Sequence, residues 1–496
     1  YALPYGALRL PYSAPDAQLV NAETRATVMN VPLKLQVANW HLSGEDVYRF
    51  DFSALQTPGN YYAYVPGLGR SDTFKIGADA LDNAAYTTAR GLFYQRSGMA
   101  LTAPWAEARF ARPNSHEYDR NGRKLDAVYD ASIVTSPLHN QEVTGAFKDG
   151  HGGWHDAGDY NKYMPTAATA LWYLFTAYDI QPGHFRDNAW NIPESGNKVP
   201  DLLDEARWEV EWVARMQDSD GGVYHKLSSE HWFSPMPDTE TTPRHIYEKT
   251  THDTALAAAI FASAARLWKP YDAALSDAWL VRARNAWAFL QAHPTATPAG
   301  GFKNPASNGT GEYNDADDSD NRLWAAAELY RTTGEVAFQQ YFDNWWANNS
   351  HTWGWHEWKD FYKRAYWAYL RADWTGGNAA AKTEIRQRII TDANNNRTQT
   401  LANPYLNGAR LDVPDWIGWG VFTQGAIHAF PLLQAWALTG DEVYRDTAAL
   451  DLDAQLGANP LAFSFITGLG KRYPHDPLHG VSLADGVDEP VPGTPI

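Results

Sequence analysis

Cysteine is absent from the 496-residue sequence. The chain can therefore form no disulfide, no thiolate nucleophile and no thiolate metal site, although this leaves its cellular compartment open. No apolar run reaches the length of a transmembrane helix, and no basic segment followed by an apolar one opens the chain at Tyr1. P-loop, HExxH and GxSxG motifs are missing too, so the enzyme classes built on them find no support.

Positive charge is also scarce, with 41 Lys and Arg against 58 Asp and Glu, for a net charge of -17. A phosphate binder needs a basic face, so we expect neither nucleic acid nor a membrane as a partner. What the chain has in abundance is aromatic side chains, with 22 Trp and 27 Tyr. Rings exposed in a cleft stack on sugars, and the acidity favours sugars over bases, although packing between helices accounts for most of the Trp.

The first 80 residues read as short strands with alternating apolar positions, separated by turn residues such as Thr57-Pro58-Gly59. Strands at this spacing predict a small β-sandwich. The predicted strands cover residues 31–37, 47–55, 60–65 and 72–77.

From Ala78 onward the apolar period becomes helical. About a dozen helices joined by long loops rich in Trp, His, Asp and Gly favour a toroid of paired helices, whose loops at one end build the site. Beyond the helical pattern that starts at Ala78, the predicted helices cover residues 164–180, 200–217, 253–268, 274–292, 320–332, 357–371, 379–394, 423–438 and 441–456.

The most informative stretch is HGGWHDAGDYNKY, residues 151–163, in which Asp156 and Asp159 lie three positions apart beside glycines. Two acids held close together in such a turn push one pKa upward, which is what a water-activating base needs. A second interpretation makes them cap and first-turn residues of the helix that follows. The motif by itself leaves both interpretations open.

Several separated motifs, in the same order, resemble glycoside hydrolase family 9, the inverting β-glycanases usually described as cellulases. They are GGWHDAGDYNKY, residues 191–217, GGVYHKL at 221–227, LGANPLAFSFITGLG at 456–470 and SLADGVDEPVPG at 482–493. The resemblance implies a mostly α chain, with an (α/α)6 barrel over residues 79–496 preceded by an immunoglobulin-like β-sandwich over residues 1–78.

The resemblance also implies roles for residues. Asp159 matches the general base and Asp156 its supporting partner. The family's general acid is a Glu beyond the PVPG element, which no residue here matches, so we expect the barrel to lack its last segment in this sequence. Substrate contacts are predicted at Trp154, His155, Tyr160, His225, Lys226, His475 and His479. For the last two histidines and for His225, a purely structural role is the alternative. Trp353, Trp355 and Trp358 are further candidates for stacking.

Relatives often hold zinc with two Cys and two His; without thiols, no zinc is expected here. A structural Ca²⁺ is expected instead from the loop at 308–324, since clustered carboxylates suit a hard cation. A solvated acidic loop that caps the next helix is the alternative. The predicted ligands are Thr310, Asp315, Asp317, Asp318 and Asp320.

We therefore predict a secreted or periplasmic, monomeric, inverting glycoside hydrolase that cleaves β-1,4-glucosidic bonds in cellulose, β-glucan or cello-oligosaccharides. The family's sugar-binding Arg is absent at residues 473–480. This absence keeps open an exo-acting cellodextrinase or an exo-β-glucosaminidase. A sugar-binding relative that has lost its acid is the third hypothesis.

Overall fold

The computed structural model describes residues 2–3, 16–116, 133–134, 149–232, 235–240, 242, 244–354, 356–408 and 421–496. It divides into two compact units. The first comprises Tyr1–Thr88, Ile390–Pro474 and Thr494–Ile496, and the second comprises Ala89–Ile389 and His475–Gly493.

The first unit contains two antiparallel sheets, β1-β5-β4 and β3-β2-β6-β7, with β8 paired to β6. Leu19, Val31 and Ala63 form a small buried core. The predicted strand at 31–37 is divided at Pro32, which has no N–H for a ladder hydrogen bond, and β2 was not predicted. The strands are β1 Ala2–Leu3, β2 Ala17–Asn21, β3 Thr27–Val31, β4 Lys34–Val37, β5 Asp46–Arg49, β6 Gly59–Val65, β7 Gly69–Arg70 and β8 Phe74–Ile76.

Each predicted helix corresponds to an observed one. Two further helices, α7 (Val336–Asn348) and the five-residue α12 (Gly480–Ala484), were not predicted. The aromatic and Asn-rich sequence of α7 has weak helix propensity. None of the helices within the described ranges combines the length and apolarity that crossing a membrane requires. The helices are α1 Asp82–Tyr94, α2 Met164–Ile180, α3 Asp201–Met216, α4 Thr251–Trp268, α5 Ala273–Ala292, α6 Ser319–Thr333, α7 Val336–Asn348, α8 Tyr362–Leu370, α9 Ala379–Ala402, α10 Val421–Thr439, α11 Glu442–Gln455 and α12 Gly480–Ala484.

In the first unit, side chains of the β-strand region contact the chain that follows α9. The Arg49 guanidinium donates to the Pro404 carbonyl at 2.8 Å. The rings of Trp40 and Tyr405 lie 5.4 Å apart. In the same unit, α10 packs against α11.

Helix α4 forms the centre of the second unit. Every residue of α4 except Arg266 is buried, and α4 packs against α2, α5 and α6. A helix that is apolar around its whole circumference belongs inside a large core. Its many alanines, such as Ala255 and Ala258 in contact with Ala286 and Ala325, allow the neighbouring helices to approach closely.

Two small sheets in the second unit were not predicted, because their strands are too short to show an alternating pattern. One has the order β10-β12-β13-β9 and the other pairs β11 with β14. In the register of β10 and β12, Tyr163 lies opposite Lys226, so the end of the Asp156 motif is joined to the GGVYHKL segment. The strands are β9 Ile133–Val134, β10 Lys162–Tyr163, β11 Val223–Tyr224, β12 Lys226–Ser229, β13 Arg244–Tyr247 and β14 Lys249–Thr250.

Candidate active site

Close approaches of the backbone hold the corner that carries Asp156 and Asp159. Gly153 has φ +73°, and a Cβ added there would lie 2.8 Å from the Trp212 side chain. A Cβ on Gly158 would lie 2.0 Å from the Leu478 carbonyl oxygen. Only glycine fits at either position. The two glycines therefore let the Trp212 side chain and the Leu478 backbone pack directly against this corner.

The two aspartates have different hydrogen-bond partners. The Tyr313 hydroxyl donates to Asp156 Oδ2 at 2.9 Å. Asp159 Oδ2 accepts from the Asn161 N–H at 3.3 Å and from the Tyr163 hydroxyl at 3.4 Å. The helix-cap interpretation is wrong, because α2 starts at Met164 with Tyr163 as its N-cap and has no side-chain cap bond.

Burial shifts both carboxyl groups toward the protonated form, and for Asp159 the neighbouring charge of Asp156 acts in the same direction. Burial raises the pKa of Asp156, against the hydrogen bonds from Thr166 and Tyr313. Burial and the charge of Asp156 raise the pKa of Asp159 to about 7. A carboxyl group that titrates near neutral pH can take a proton from water, which makes Asp159 a candidate general base.

The loop from Thr310 to Tyr313 brings Tyr313 to Asp156, and three side chains hold it there. The Lys226 ammonium donates to the Gly311 carbonyl at 2.7 Å, and His225 Nε2 lies 2.8 Å from the Glu312 carbonyl oxygen. The Gly311 N–H donates to the Tyr163 hydroxyl at 3.2 Å. Tyr313 itself has φ +44°, an unfavourable backbone conformation that these contacts maintain.

Most predicted substrate contacts are buried in the protein. His479 Nδ1 lies 2.8 Å from Ser482 Oγ and its Nε2 lies 3.2 Å from Gln95 Oε1. His155 Nε2 lies 3.3 Å from the Nε2 atom of His116. His475, in contrast, is exposed. Sugar contacts at all seven positions stay predictions. The buried members are Trp154, His155, Tyr160, His225, Lys226 and His479.

His225 and Lys226 make their polar contacts inside the protein. His225 has no exposed surface, and its Nδ1 lies 2.7 Å from Asp253 Oδ2. Lys226 donates to Asn304 Oδ1 at 2.6 Å, and burial lowers the pKa of its ammonium to about 7. In this arrangement both residues support the Tyr313 loop.

Three of the five predicted calcium ligands accept hydrogen bonds from other groups of the protein. Asp318 accepts two hydrogen bonds from Arg322 at 2.9 Å each, and Thr310 Oγ1 accepts one from the Lys226 ammonium at 3.2 Å. Asp317 accepts from the Ser319 N–H at 3.0 Å. Side-chain oxygens of these three residues that could bind a cation therefore already accept hydrogen bonds within the protein.

Asp315 and Asp320 are the two members of the predicted set that approach each other. With its amide oriented to satisfy both carboxylates, the Asn321 nitrogen lies 3.2 Å from each. Burial raises the pKa of Asp315 to about 6 and that of Asp320 to about 8. Calcium stays a prediction, and this pair is the part of the loop that fits it.

Aromatic rings continue from the aspartates along the Tyr313 loop. The Tyr313 ring lies edge-on to Tyr163 at 4.7 Å and edge-on to Trp358 at 5.1 Å. Trp353 stacks on Tyr366 at 5.6 Å, and Trp355 lies outside the described residues. Trp358 is half-buried and therefore retains an accessible face beside Tyr313.

Tyr313 and Tyr163 were not among the predicted site residues. Tyr313 lies in the loop that sequence analysis assigned to calcium, 157 positions beyond Asp156. Nothing local in the sequence indicates that this loop folds back onto the aspartates.

Two known family models match the chain. The family model described as glycosyl hydrolase family 9 matches residues 82–494, and the cellulase N-terminal Ig-like domain matches residues 10–70. Endoglucanase D of Acetivibrio thermocellus is 31% identical over 457 residues, covering 90% of this chain and 69% of the relative. A xyloglucan-specific endo-β-1,4-glucanase of Bacteroides ovatus is 30% identical over 477 residues, covering 89% of this chain and 74% of that protein.

A solved structure, that of a metagenome-derived family 9 endoglucanase, superposes with a TM-score of 0.87 at 34% identity. The superposition covers 99% of this chain and 86% of the chain in that structure. The predicted fold class, an (α/α)6 barrel preceded by an immunoglobulin-like β-sandwich, is thereby confirmed. The chain belongs to glycosyl hydrolase family 9 and is a glycoside hydrolase.

Proposed function

We propose that Asp159 is the general base of an inverting β-1,4-glucanase and that Asp156 is its supporting partner. The observation that supports this most directly is the half-buried pair of carboxyl groups, in which Asp159 has a pKa raised to about 7 while Asp156 accepts a hydrogen bond from Tyr313. Endoglucanases of the same family supply the substrate class, a β-1,4-linked glucan.

In this mechanism a water molecule beside Asp159 gives up its proton to the carboxylate as its oxygen attacks the anomeric carbon. The bond from that carbon to the glycosidic oxygen breaks, and the configuration inverts. The hydrogen bond from the Tyr313 hydroxyl favours the ionised form of Asp156, against the effect of burial. The negative charge of Asp156 raises the proton affinity of Asp159, which strengthens the base.

The departing glycosidic oxygen needs a proton from a second carboxyl group across the scissile bond, roughly 6.5–9.5 Å from the base in inverting enzymes. The family's acid lies beyond the PVPG element, and we assign no residue of this sequence to that role.

The aromatic rings next to the pair suit a sugar substrate. Trp358 and Tyr313 lie edge-on at 5.1 Å, and Trp358 is half-buried. A glucose ring presents an apolar face of axial C–H bonds, which stacks on an indole. We propose Trp358 as a sugar platform in the cleft.

The decisive experiment replaces Asp159 by Asn, which keeps the volume of the side chain and removes the base. We expect kcat on cello-oligosaccharides to fall by roughly 10²–10⁴-fold, the usual contribution of a general base, with little change in KM. Asp277→Asn is the matched control, since Asp277 is an exposed carboxylate paired with Lys269. Proton NMR of the first product should show the α-anomer. A D159N protein that keeps more than about a tenth of the wild-type rate would overturn the assignment.

Substrate choice is tested with the same protein. Product profiles on cello-oligosaccharides and on chitosan oligosaccharides distinguish an endo-acting glucanase from a cellodextrinase and from a glucosaminidase. Polymeric glucan cannot enter a cell, so we propose that the protein is secreted or periplasmic. We further propose that it acts as a monomer, which sedimentation analysis can test.

We also propose that calcium binds at Asp315 and Asp320, without Thr310 and Asp318. Two neighbouring carboxylates with raised pKa values, one half-buried and one buried, form a site that a divalent cation would stabilise. Any such ion is structural, and no catalytic step depends on it.

A further inference from the structure

A third carboxyl group, which is buried, lies next to the half-buried aspartate pair. Glu209, on α3, is 2% exposed, and its Oε2 accepts a hydrogen bond from the Trp154 N–H at 2.6 Å. Trp154 is only two residues before Asp156. The Glu209 carboxyl group thus connects α3 directly to the backbone just before Asp156.

Glu205, one turn earlier on α3, has a different environment. It forms an ion pair with Arg96 at 2.9 Å and accepts from the Trp154 indole nitrogen at 2.8 Å. Glu209 has no such partner: within the described residues, no Lys, Arg or His reaches it at ion-pair distance. The nearby Lys162 ammonium instead donates to the carbonyls of Gly150 and Gly152.

Glu209 and Asp156 line the same cavity. The cavity has a volume of about 50 Å³, which is too small for a sugar ring and large enough for water. Its polar wall offers several hydrogen-bonding groups, which a buried water needs in order to be stable there. The lining residues are Trp154, His155, Asp156, Tyr163, Thr166, Ala167, Ala170 and Glu209.

We propose that Glu209 is a positioning residue of this active site, linked to Asp156 by water held in the shared cavity. The Glu209 carboxyl group carries a proton and donates it in a hydrogen bond to that water, which in turn donates to Asp156. With this water and the Tyr313 hydroxyl as donors, Asp156 is held ionised and fixed in orientation beside the base. This inference rests on the proposed function, since Glu209 acts only through Asp156.

The surroundings favour the protonated form of Glu209. Burial, together with the charges of Asp156 and Glu205, raises the pKa of Glu209 to about 8, against the opposing effects of the Trp154 N–H and Lys162. His155 also lines the cavity, and burial lowers its pKa, so that it adds no positive charge. At neutral pH the carboxyl group is therefore a hydrogen-bond donor.

Two variants of Glu209 and one of the cavity test the inference in the full-length protein. Glu209→Gln keeps an acceptor for the Trp154 N–H and a donor for the water, whereas Glu209→Leu has neither. Ala167→Val adds two methyl groups to the cavity and leaves the contact between Glu209 and Trp154 intact. Ala177→Val, on α2 outside the cavity, and Glu211→Gln, an exposed residue of α3 paired with Arg207, are the matched controls.

We expect E209Q to keep kcat within about twofold of wild type, and both E209L and A167V to lose about tenfold in kcat, the effect of one hydrogen bond to a charged group, with KM unchanged. Wild-type kcat in a folded A167V protein would overturn the water link. Equal losses in E209Q and E209L would overturn the role of Glu209 as a donor. A fully active D159N protein would instead refute the proposed function, so the two failures are distinguishable.

Discussion

The Tyr313 hydroxyl donates to Asp156 at 2.9 Å, although the two residues are separated by 157 positions in the sequence. The donor lies on a loop whose backbone Lys226 and His225 hold in place, and the acceptor lies in a corner that Gly153 and Gly158 allow to form. Two segments that lie far apart in the sequence thus meet at the Asp156 carboxylate.

Replacing Tyr313 by Phe should weaken the support of Asp156 without disturbing the packing of the ring. A hydrogen bond to a buried carboxylate contributes about 1.5–3 kcal/mol, so we expect kcat to fall by about tenfold or more. Steady-state kinetics on cello-oligosaccharides measure the effect. The matched control is Tyr224→Phe, which removes another tyrosine–aspartate hydrogen bond, to Asp218 at 3.0 Å. Similar losses in both variants would show that the effect is not specific to Asp156.

The pH dependence of activity should follow Asp159. Because burial and Asp156 raise its pKa to about 7, the base is protonated in a growing fraction of molecules as the pH falls below neutral. We expect the acidic limb of kcat/KM to have its midpoint near pH 7. A pH profile from 5 to 9 tests this. A midpoint near 4, the ordinary value for an aspartate, would contradict a perturbed base.

The raised pKa of Asp159 also predicts that the ionised base lowers the free energy of unfolding. Between about pH 4 and pH 7 the folded protein binds a proton at Asp159 that the unfolded chain releases, so the free energy of unfolding falls as the pH rises through this window. Asp159→Asn should therefore stabilise the protein by about 1–3 kcal/mol at pH 7.5, and by far less at pH 4.

Denaturant unfolding of both proteins at the two pH values measures the difference. Asp218→Asn is the opposite control, since hydrogen bonds from Lys249 and Tyr224 lower the pKa of Asp218 despite its partial burial. Loss of the Asp218 carboxylate should destabilise the protein at pH 7.5. A D159N protein that is less stable than wild type at neutral pH would rule out the repulsion between Asp156 and Asp159.

Sequence reasoning located the aspartate pair and most helices, because these features are encoded locally. The period of the apolar residues shows a helix such as α3, and the glycines beside Asp156 and Asp159 indicate a turn. It did not find Tyr313 as a partner of Asp156, nor Glu209 as a neighbour of the cavity. These pairings depend on tertiary packing, since α3 and the loop after Thr310 reach the corner only in the folded chain.

The predicted substrate residues show the same limit. The spacing of Trp154, His155 and Tyr160 places aromatic rings next to the acids but does not tell which side of the chain faces the cleft. In the structure the Trp154 indole donates to Glu205 at 2.8 Å, inside the barrel wall. Trp358, far away in the sequence, is the ring that stays half-exposed beside Tyr313.

Calcium should stabilise the protein through Asp315 and Asp320. Two neighbouring carboxylates repel each other once both are ionised, and a divalent cation between them removes that cost. Because the pKa values of Asp315 and Asp320 are raised to about 6 and about 8, protons compete with the ion, and the apparent affinity should increase from pH 6 to pH 8.

Thermal unfolding with Ca²⁺ and with a chelator measures this effect. In Asp320→Asn we expect the dependence on calcium to disappear. Asp317→Asn, which removes a carboxylate that caps the Ser319 N–H, should retain it. An equal rise in Tm on adding Ca²⁺ to wild type and to D320N would place the ion elsewhere.

Gly158 links the turn that carries Asp156 and Asp159 to the start of α12. Its carbonyl accepts the Gly480 N–H at 2.7 Å, and an added Cβ would lie 2.0 Å from the Leu478 carbonyl oxygen. Gly158→Ala must therefore displace either Leu478 or Asp159. Since a shift of about 1 Å can cost roughly a hundredfold in rate, we expect kcat to fall by that order, with a lower Tm. Gly183→Ala is the control, because no atom lies within 4 Å of a Cβ added there. Wild-type kcat in G158A would show that the corner can move without affecting the base.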